Sequence, residues 1–192
     1  MMLKAFKRPA RRGWWLAPAV VAVIALGHTA LAQGNEDGRS IEAFMFRVSS
    51  DMAQCSAAYR VTSEVIGGPE GKVLGNLANG FEHSSGLVAS LAVHDRERAR
   101  EYARNCIEVF ANAWVVKAKR ALEADGFKAY YAEIKGLCEK YATLNGELVQ
   151  RSLQFGYAGN TDASTWGEMV TDAVVRFMQT PGGQEVVLEV GK

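Results

Sequence analysis

The sequence predicts an all-α protein, an antiparallel up-down four-helix bundle with a shorter C-terminal fifth helix. Three observations predict it. Apolar and small residues recur in alternating steps of three and four along most of the chain, which lays one stripe of a helix against its neighbours. Glycine, proline and aspartate separate those stretches, where one helix stops and the next starts. No stretch alternates apolar and polar residues for long enough to build a sheet, and no internal repeat is visible.

The chain opens differently. Residues 1–12 carry five cations (Lys4, Lys7, Arg8, Arg11, Arg12) and no carboxylate. An apolar run from Trp14 to Leu26 follows, broken only by Pro18, and then Ala30-Leu31-Ala32. A basic start, a short apolar core and an A-x-A site make a secretory signal, with cleavage expected between Ala32 and Gln33. The run is shorter than the roughly 20 residues that span a bilayer, so no stable membrane span is expected after processing. Arg11-Arg12 ahead of Trp14, Trp15 and Leu16 fits a twin-arginine signal poorly, which makes the general secretory route the first expectation. The expected plan is a cleavable signal (1–32), a disordered mature N-terminus (33–39), a bundle domain (40–180) and a C-terminal tail (181–192).

Ser40 stands as the cap of a first helix. Its seam runs through Ile41, Met45, Val48, Met52, Cys55, Tyr59, Thr62 and Ile66, and Gly67-Gly68-Pro69 ends it. A second seam follows through Leu74, Leu77, Phe81, Ser84, Val88 and Leu91. Gly71, Gly75, Gly80 and Gly86 weaken this helix, with a break expected near Gly80, although small residues also let a neighbouring backbone come close. Asp95 caps a third helix with Arg96-Glu97-Arg98 in its first turn. Its seam is Ala99, Tyr102, Cys106, Val109, Ala113 and Val116, widened by Phe110 and Trp114, and Asp125-Gly126 closes it. The fourth helix carries Phe127, Tyr130, Ile134, Leu137, Tyr141, Leu144 and Leu148 and fades near Phe155-Gly156. After a loop, Thr165-Trp166-Gly167-Glu168 reads as a capping box for the fifth helix, which buries Trp166, Met169 or Val170, Ala173 and Phe177. Pro181-Gly182-Gly183 stops it, leaving Val186-Val187-Leu188 in a frayed tail or short strand.

Composition narrows the chemistry. The chain has 22 Lys plus Arg and 21 Asp plus Glu; losing the five leader cations leaves 17 against 21. A mildly acidic mature protein lacks the basic footprint of a nucleic-acid binder. In the up-down arrangement Cys55 and Cys138 stand level, each roughly 22–24 Å above the lower ends of adjacent helices, whereas Cys106 is about 6 Å lower on a diagonal helix. The expected disulfide is Cys55–Cys138, with Cys106 left as a free thiol or an intermolecular partner.

No cofactor or metal motif is present. There is no Cys-x-x-Cys, no haem attachment sequence and no His-Glu-x-x-His. His83 and His94 would stand about 16 Å apart on one helix, too far to share an ion. Gly67-Gly68-Pro69-Glu70-Gly71-Lys72-Val73 has one residue too few between its glycines for a phosphate loop, and Val73 replaces the hydroxyl that would hold magnesium. Glu97, Glu101, Glu108, Glu133, Glu139 and Glu147 read as solvated helix faces paired with Arg and Lys, because inward-facing Glu-x-x-His pairs are missing.

These readings lead to an exported protein, periplasmic or extracellular, with a non-enzymatic binding or interaction role. No catalytic residue, cofactor or metal is assigned. The alternatives are a thiol-based enzyme or redox protein using Cys106 with His83, and a carrier of a small apolar ligand in a slot lined by Tyr59, Tyr102, Tyr130, Tyr131 and Tyr141. An envelope protein is the other expected partner, with Met45, Phe46 and Met52 as the surface it would meet.

Overall fold

A computed structural model describes residues 37–157 and 163–191; the signal sequence and its Ala32–Gln33 junction lie outside the described residues. The described residues form helices α1 (Asp37–Ile66), α2 (Gly68–Val93), α3 (Arg96–Glu123), α4 (Phe127–Glu139), α5 (Ala142–Tyr157), α6 (Ala163–Met178) and α7 (Pro181–Val190), with no strand among them. From Gly38 onward they make one structural unit. No helix among them is long and apolar enough to cross a membrane.

Helix α1 is buried along most of its length. Between Phe44 and Thr62 it buries Phe44, Val48, Ser49, Asp51, Met52, Ala53, Cys55, Ser56, Ala57, Ala58, Val61 and Thr62, so water reaches little of its circumference. A helix buried all round needs neighbours on every side and a partner for each polar side chain. Against α2 the answer is a repeat of seven. Ser49, Ser56 and Ser63 of α1 face Ser85, Ala78 and Gly71 of the antiparallel α2, and each serine hydroxyl donates to the backbone carbonyl opposite, at 2.9, 2.8 and 2.6 Å. Ser85 returns the bond to the carbonyl of Ser49 at 2.8 Å. Side chains this small let the backbones approach closely: a Cβ on Gly71 would lie 2.6 Å from the Ser63 carbonyl oxygen. Gly67, at φ 65°, makes the one-residue turn between the two helices, and Gly68 follows at φ 61°.

Tertiary packing also keeps α2 continuous through Gly80, where the sequence predicts a break. A Cβ there would be 3.4 Å from Asn145 and 3.5 Å from Val149, so the glycine is a point of contact with α5. Helix α2 lies along α3 and also touches α5 and α6.

Four boundaries differ from the sequence expectation. Helix α1 begins at Asp37, so Ser40 is inside it and residues 37–39 of the expected disordered segment are helical. The single fourth helix is two, because Tyr141 N–H bonds Cys138 O, only three residues back, and interrupts the ladder between α4 and α5. Helix α6 already runs at Ala163, which puts Thr165 within its first turn and not at the cap. Finally, the expected tail is helix α7. Thr180 caps it by accepting from Gly183 N–H at 3.1 Å, and Pro181 occupies the first turn, where its missing N–H costs nothing. Pro181-Gly182-Gly183 therefore ends one helix and starts another, and α7 seals the core with fully buried Val186.

The α3 seam is rotated from its expected position. The buried stripe is Ala99, Ala103, Ile107, Trp114 and Ala118, while Val109 and Val116 are 69% and 48% exposed. Apolar residues occur on two faces of α3, and the face carrying the large Trp114 is the one turned inward, where its ring meets Tyr130 edge-on. The seams of α4, α5 and α6 lie where the sequence puts them: Tyr130, Ile134, Tyr141, Leu144, Leu148, Met169, Val170, Ala173 and Phe177 are all buried.

Candidate functional site

The structure distributes the chemistry-bearing residues over three places. The first is the spine of α1. Cys55 of α1 and Cys138 of α4 stand at disulfide distance with Cα atoms 5.6 Å apart. One turn below Cys55, the buried Asp51 accepts from the Tyr141 hydroxyl at 2.5 Å and from Arg47 at 3.0 Å, and Arg47 also meets Glu189 of α7 at 3.0 Å. Burial, followed by the Asp51 charge, pushes the Tyr141 phenol well above its ordinary value and keeps it a proton donor. Cys138 and Tyr141 thus tether the α4–α5 break to α1 from both sides. Thr62 and Tyr130 add a buried hydroxyl pair at 3.0 Å. Every polar atom buried among the described side chains has a partner, so this region is built for stability.

The second place holds Cys106, the free cysteine, half-buried on α3. Its neighbour is Tyr102, whose hydroxyl lies beside Cys106 and Ser50. Burial and then Cys106 push that phenol up to about 12. His83 is elsewhere: its Nε2 is 3.0 Å from Ser152 Oγ of α5. No hydrogen bond joins Cys106 to His83, so the structure does not bring the expected thiol and imidazole together.

The third place is an open groove of about 450 Å³. One wall is α2, with Asn79, Glu82, His83 and Leu87; the other is α3, with Arg96, Arg100 and Arg104, and Trp166 of α6 closes one end. The three arginines are four residues apart, so α3 presents them as a single ladder. Arg96 lies over the Trp166 ring, 5.3 Å from its centroid. Arg104 approaches Glu82 at 3.8 Å, but Glu82 is already engaged by Arg60 at 2.5 Å. Arg100 has no ion pair among the described residues, and its stem runs past Gly86, where a Cβ would be 3.7 Å away. Burial and then the Arg100 charge hold the His83 imidazole below its ordinary value, so at neutral pH it is an uncharged hydrogen-bonding group.

No family model, curated protein or solved structure matches this chain.

What the groove can do is bind. Its guanidinium groups are fixed-fork donors suited to a carboxylate or phosphate, and Trp166 and Leu87 add apolar surface to the lining. Its size falls within the roughly 300–1,000 Å³ of small-molecule sites. From the sequence, Arg96 stands only in the first turn of its helix, and the ladder is not apparent. The signal was the spacing Arg96, Arg100, Arg104, with the glutamates Glu97, Glu101 and Glu108 on the adjoining stripe of the helix.

The remaining candidates fall elsewhere. Glu97, Glu101 and Glu108 are exposed and form no ion pair among the described residues, unlike the pairing expected of them. Glu133 pairs with Lys117 across α3 and α4, and Glu147 with Arg151 and Arg176. No three His, Cys, Asp or Glu among the described residues converge as a metal site. The tyrosines line no common slot: Tyr59 stacks on Phe81, Tyr102 meets Phe46, Tyr130 meets Trp114, Tyr141 faces Phe177 and Tyr131 is exposed. Met45, Phe46 and Met52 form no outward surface either. Met52 is wholly buried, Met45 packs on the core and Phe46 covers Tyr102.

Proposed function

We propose that this protein is an exported helical module that binds a ligand and performs no catalysis, and that its binding surface is the groove between α2, α3 and the start of α6. The observation that carries the reading is Arg100, a guanidinium in a groove between two other arginines and with no ion pair among the described residues. An exposed charge placed that way costs the fold little and leaves capacity for an anionic partner. Export to the periplasm or extracellular space follows from the basic, apolar and A-x-A segments that end at Ala32, and the disulfide-distance pair Cys55 and Cys138 suits an oxidising compartment. In this reading α1 to α5 make the up-down bundle, α4 and α5 serving together as its fourth rod, and α6 is the shorter fifth helix.

Thermal unfolding of the processed protein, in the presence of periplasmic small-molecule fractions, tests this. A binding fraction raises the midpoint of the wild type and not that of an Arg100→Gln, Trp166→Leu double variant. A rise of equal size in both proteins, or none with any fraction, overturns the groove as the binding surface. Intact mass of the same material tests export: a chain beginning at Gln33 is expected, and one still beginning at Met1 contradicts it.

A further inference from the structure

The groove between α2 and α3 also carries information about what fills it. On the binding reading above, we infer that its ligand is a small organic anion: a carboxylate or phosphate carried on a flat, ring-like apolar body.

The charge argument comes first. Four-residue spacing sets neighbouring arginine Cβ atoms about 6 Å apart, so two forks can converge on one oxyanion and the third can flank it. Glu82, the carboxylate that lines the groove, pairs with Arg60 and approaches Arg104, and Arg100 has no ion pair among the described residues. His83, held neutral and hydrogen-bonded to Ser152, adds a polar edge without a second field. This cationic groove belongs to a mature chain with 17 cations against 21 carboxylates once the five leader cations are gone, so it is a local feature and not part of a basic surface.

The shape argument follows. Trp166 closes the groove with an indole already ordered by Arg96 at 5.3 Å and by the Phe155 ring at 5.6 Å. Leu87 lines the same space. An indole and a leucine beside a guanidinium ladder match a molecule with a planar apolar end and a charged end. A long polyanion fits less well. The adjoining face of α3 displays Glu97, Glu101 and Glu108, all exposed, which would repel phosphates extending beyond the groove.

The test is a titration of ¹⁵N-labelled, disulfide-intact processed protein with phenyl phosphate, inorganic phosphate and benzyl alcohol, read by amide and indole NMR shifts. Phenyl phosphate is expected to move the Trp166 indole and Gly86 amide signals saturably, with inorganic phosphate weaker and benzyl alcohol weaker still. Arg100→Gln should weaken phenyl phosphate about tenfold or more, because a charge-assisted bond is lost, while Arg100→Lys keeps part of the affinity. The dispersion of the same spectra shows that each variant is folded. Equal affinity in Arg100→Gln, or benzyl alcohol binding as tightly as phenyl phosphate in the groove, overturns the anionic ligand and leaves the binding reading standing. If none of the three moves any groove signal, both fall.

Discussion

The two long faces of α2 solve opposite problems. Toward α1 it is closed: Ser85, Ala78 and Gly71 each receive a serine hydroxyl, and hydroxyls and carbonyls match one for one. Toward α3 it opens into the groove, where three arginines outnumber the single carboxylate Glu82. Buried polar groups matched in number are structural, because one missing partner costs the fold about 1–3 kcal/mol. Exposed charges in excess cost the fold little and leave capacity for a ligand. The difference separates what holds this molecule together from what it can present to others.

The comparison breaks first where α1 is most heavily tied. Replacing Cys55 and Cys138 with alanine should cost about 2–4 kcal/mol, seen as a lower denaturant midpoint, since a bridge between this disulfide-distance pair would join residues 83 apart. In the oxidised, denatured wild type a single thiol, that of Cys106, should react with an alkylating reagent. Three reactive thiols would remove the bridge from the account.

Gly71→Ala comes next. Its new Cβ would meet the Ser63 carbonyl oxygen at 2.6 Å and force the two backbones apart, at a cost of about 1–3 kcal/mol by overpacking. A variant as stable as the wild type would show that the α1–α2 approach is looser than described.

Alkaline pH probes the same spine. The Tyr59, Tyr102, Tyr130 and Tyr141 phenols are all raised when folded, chiefly by burial. An unfolded chain loses these protons near pH 10, before the folded protein does. Their stabilisation is therefore complete below about pH 10 and declines above it, in the case of Tyr102 until about 12. Circular dichroism melts between pH 8 and 11 should show a midpoint falling above about pH 10; a flat profile contradicts the raised phenols.

Ser56→Ala is milder. It removes one hydroxyl while the Ala78 carbonyl stays in its own helix, so about 0.5–1.5 kcal/mol should be lost in chemical unfolding. A stabilised variant would mean that the serine repeat sets register and contributes no net energy.

Most of the core can be read from residue spacing, and most of the site cannot. The α4, α5 and α6 seams appear where large apolar residues recur on one stripe, because burial of those side chains dominates the energy there. The α1–α2 contact does not announce itself that way, since Ser49, Ser56 and Ser63 repeat every seven residues but are polar. Only a hydroxyl-to-carbonyl fit across a close approach makes Ser49 and Ser56 interior and Ser63 half-buried. Helix α3 misleads for the converse reason, with Val109, Ala113 and Val116 apolar at helical spacing and yet on the outer face. Thr180 and Pro181 carried a helix-start signal at the C-terminus, hidden by reading Pro-Gly-Gly only as a stop. The groove draws on three helices, and nothing local connects Trp166 to Arg96 until the chain is folded.

The unfolding free energy of Arg100→Gln tests the division between structure and binding most directly. Glutamine keeps part of the stem beside Gly86 and removes the charge. Stability is expected to stay within about 0.5 kcal/mol of the wild type, or to rise as crowding with Arg96 and Arg104 is relieved. A loss of more than about 1 kcal/mol would make Arg100 part of the scaffold and contradict its assignment to a ligand.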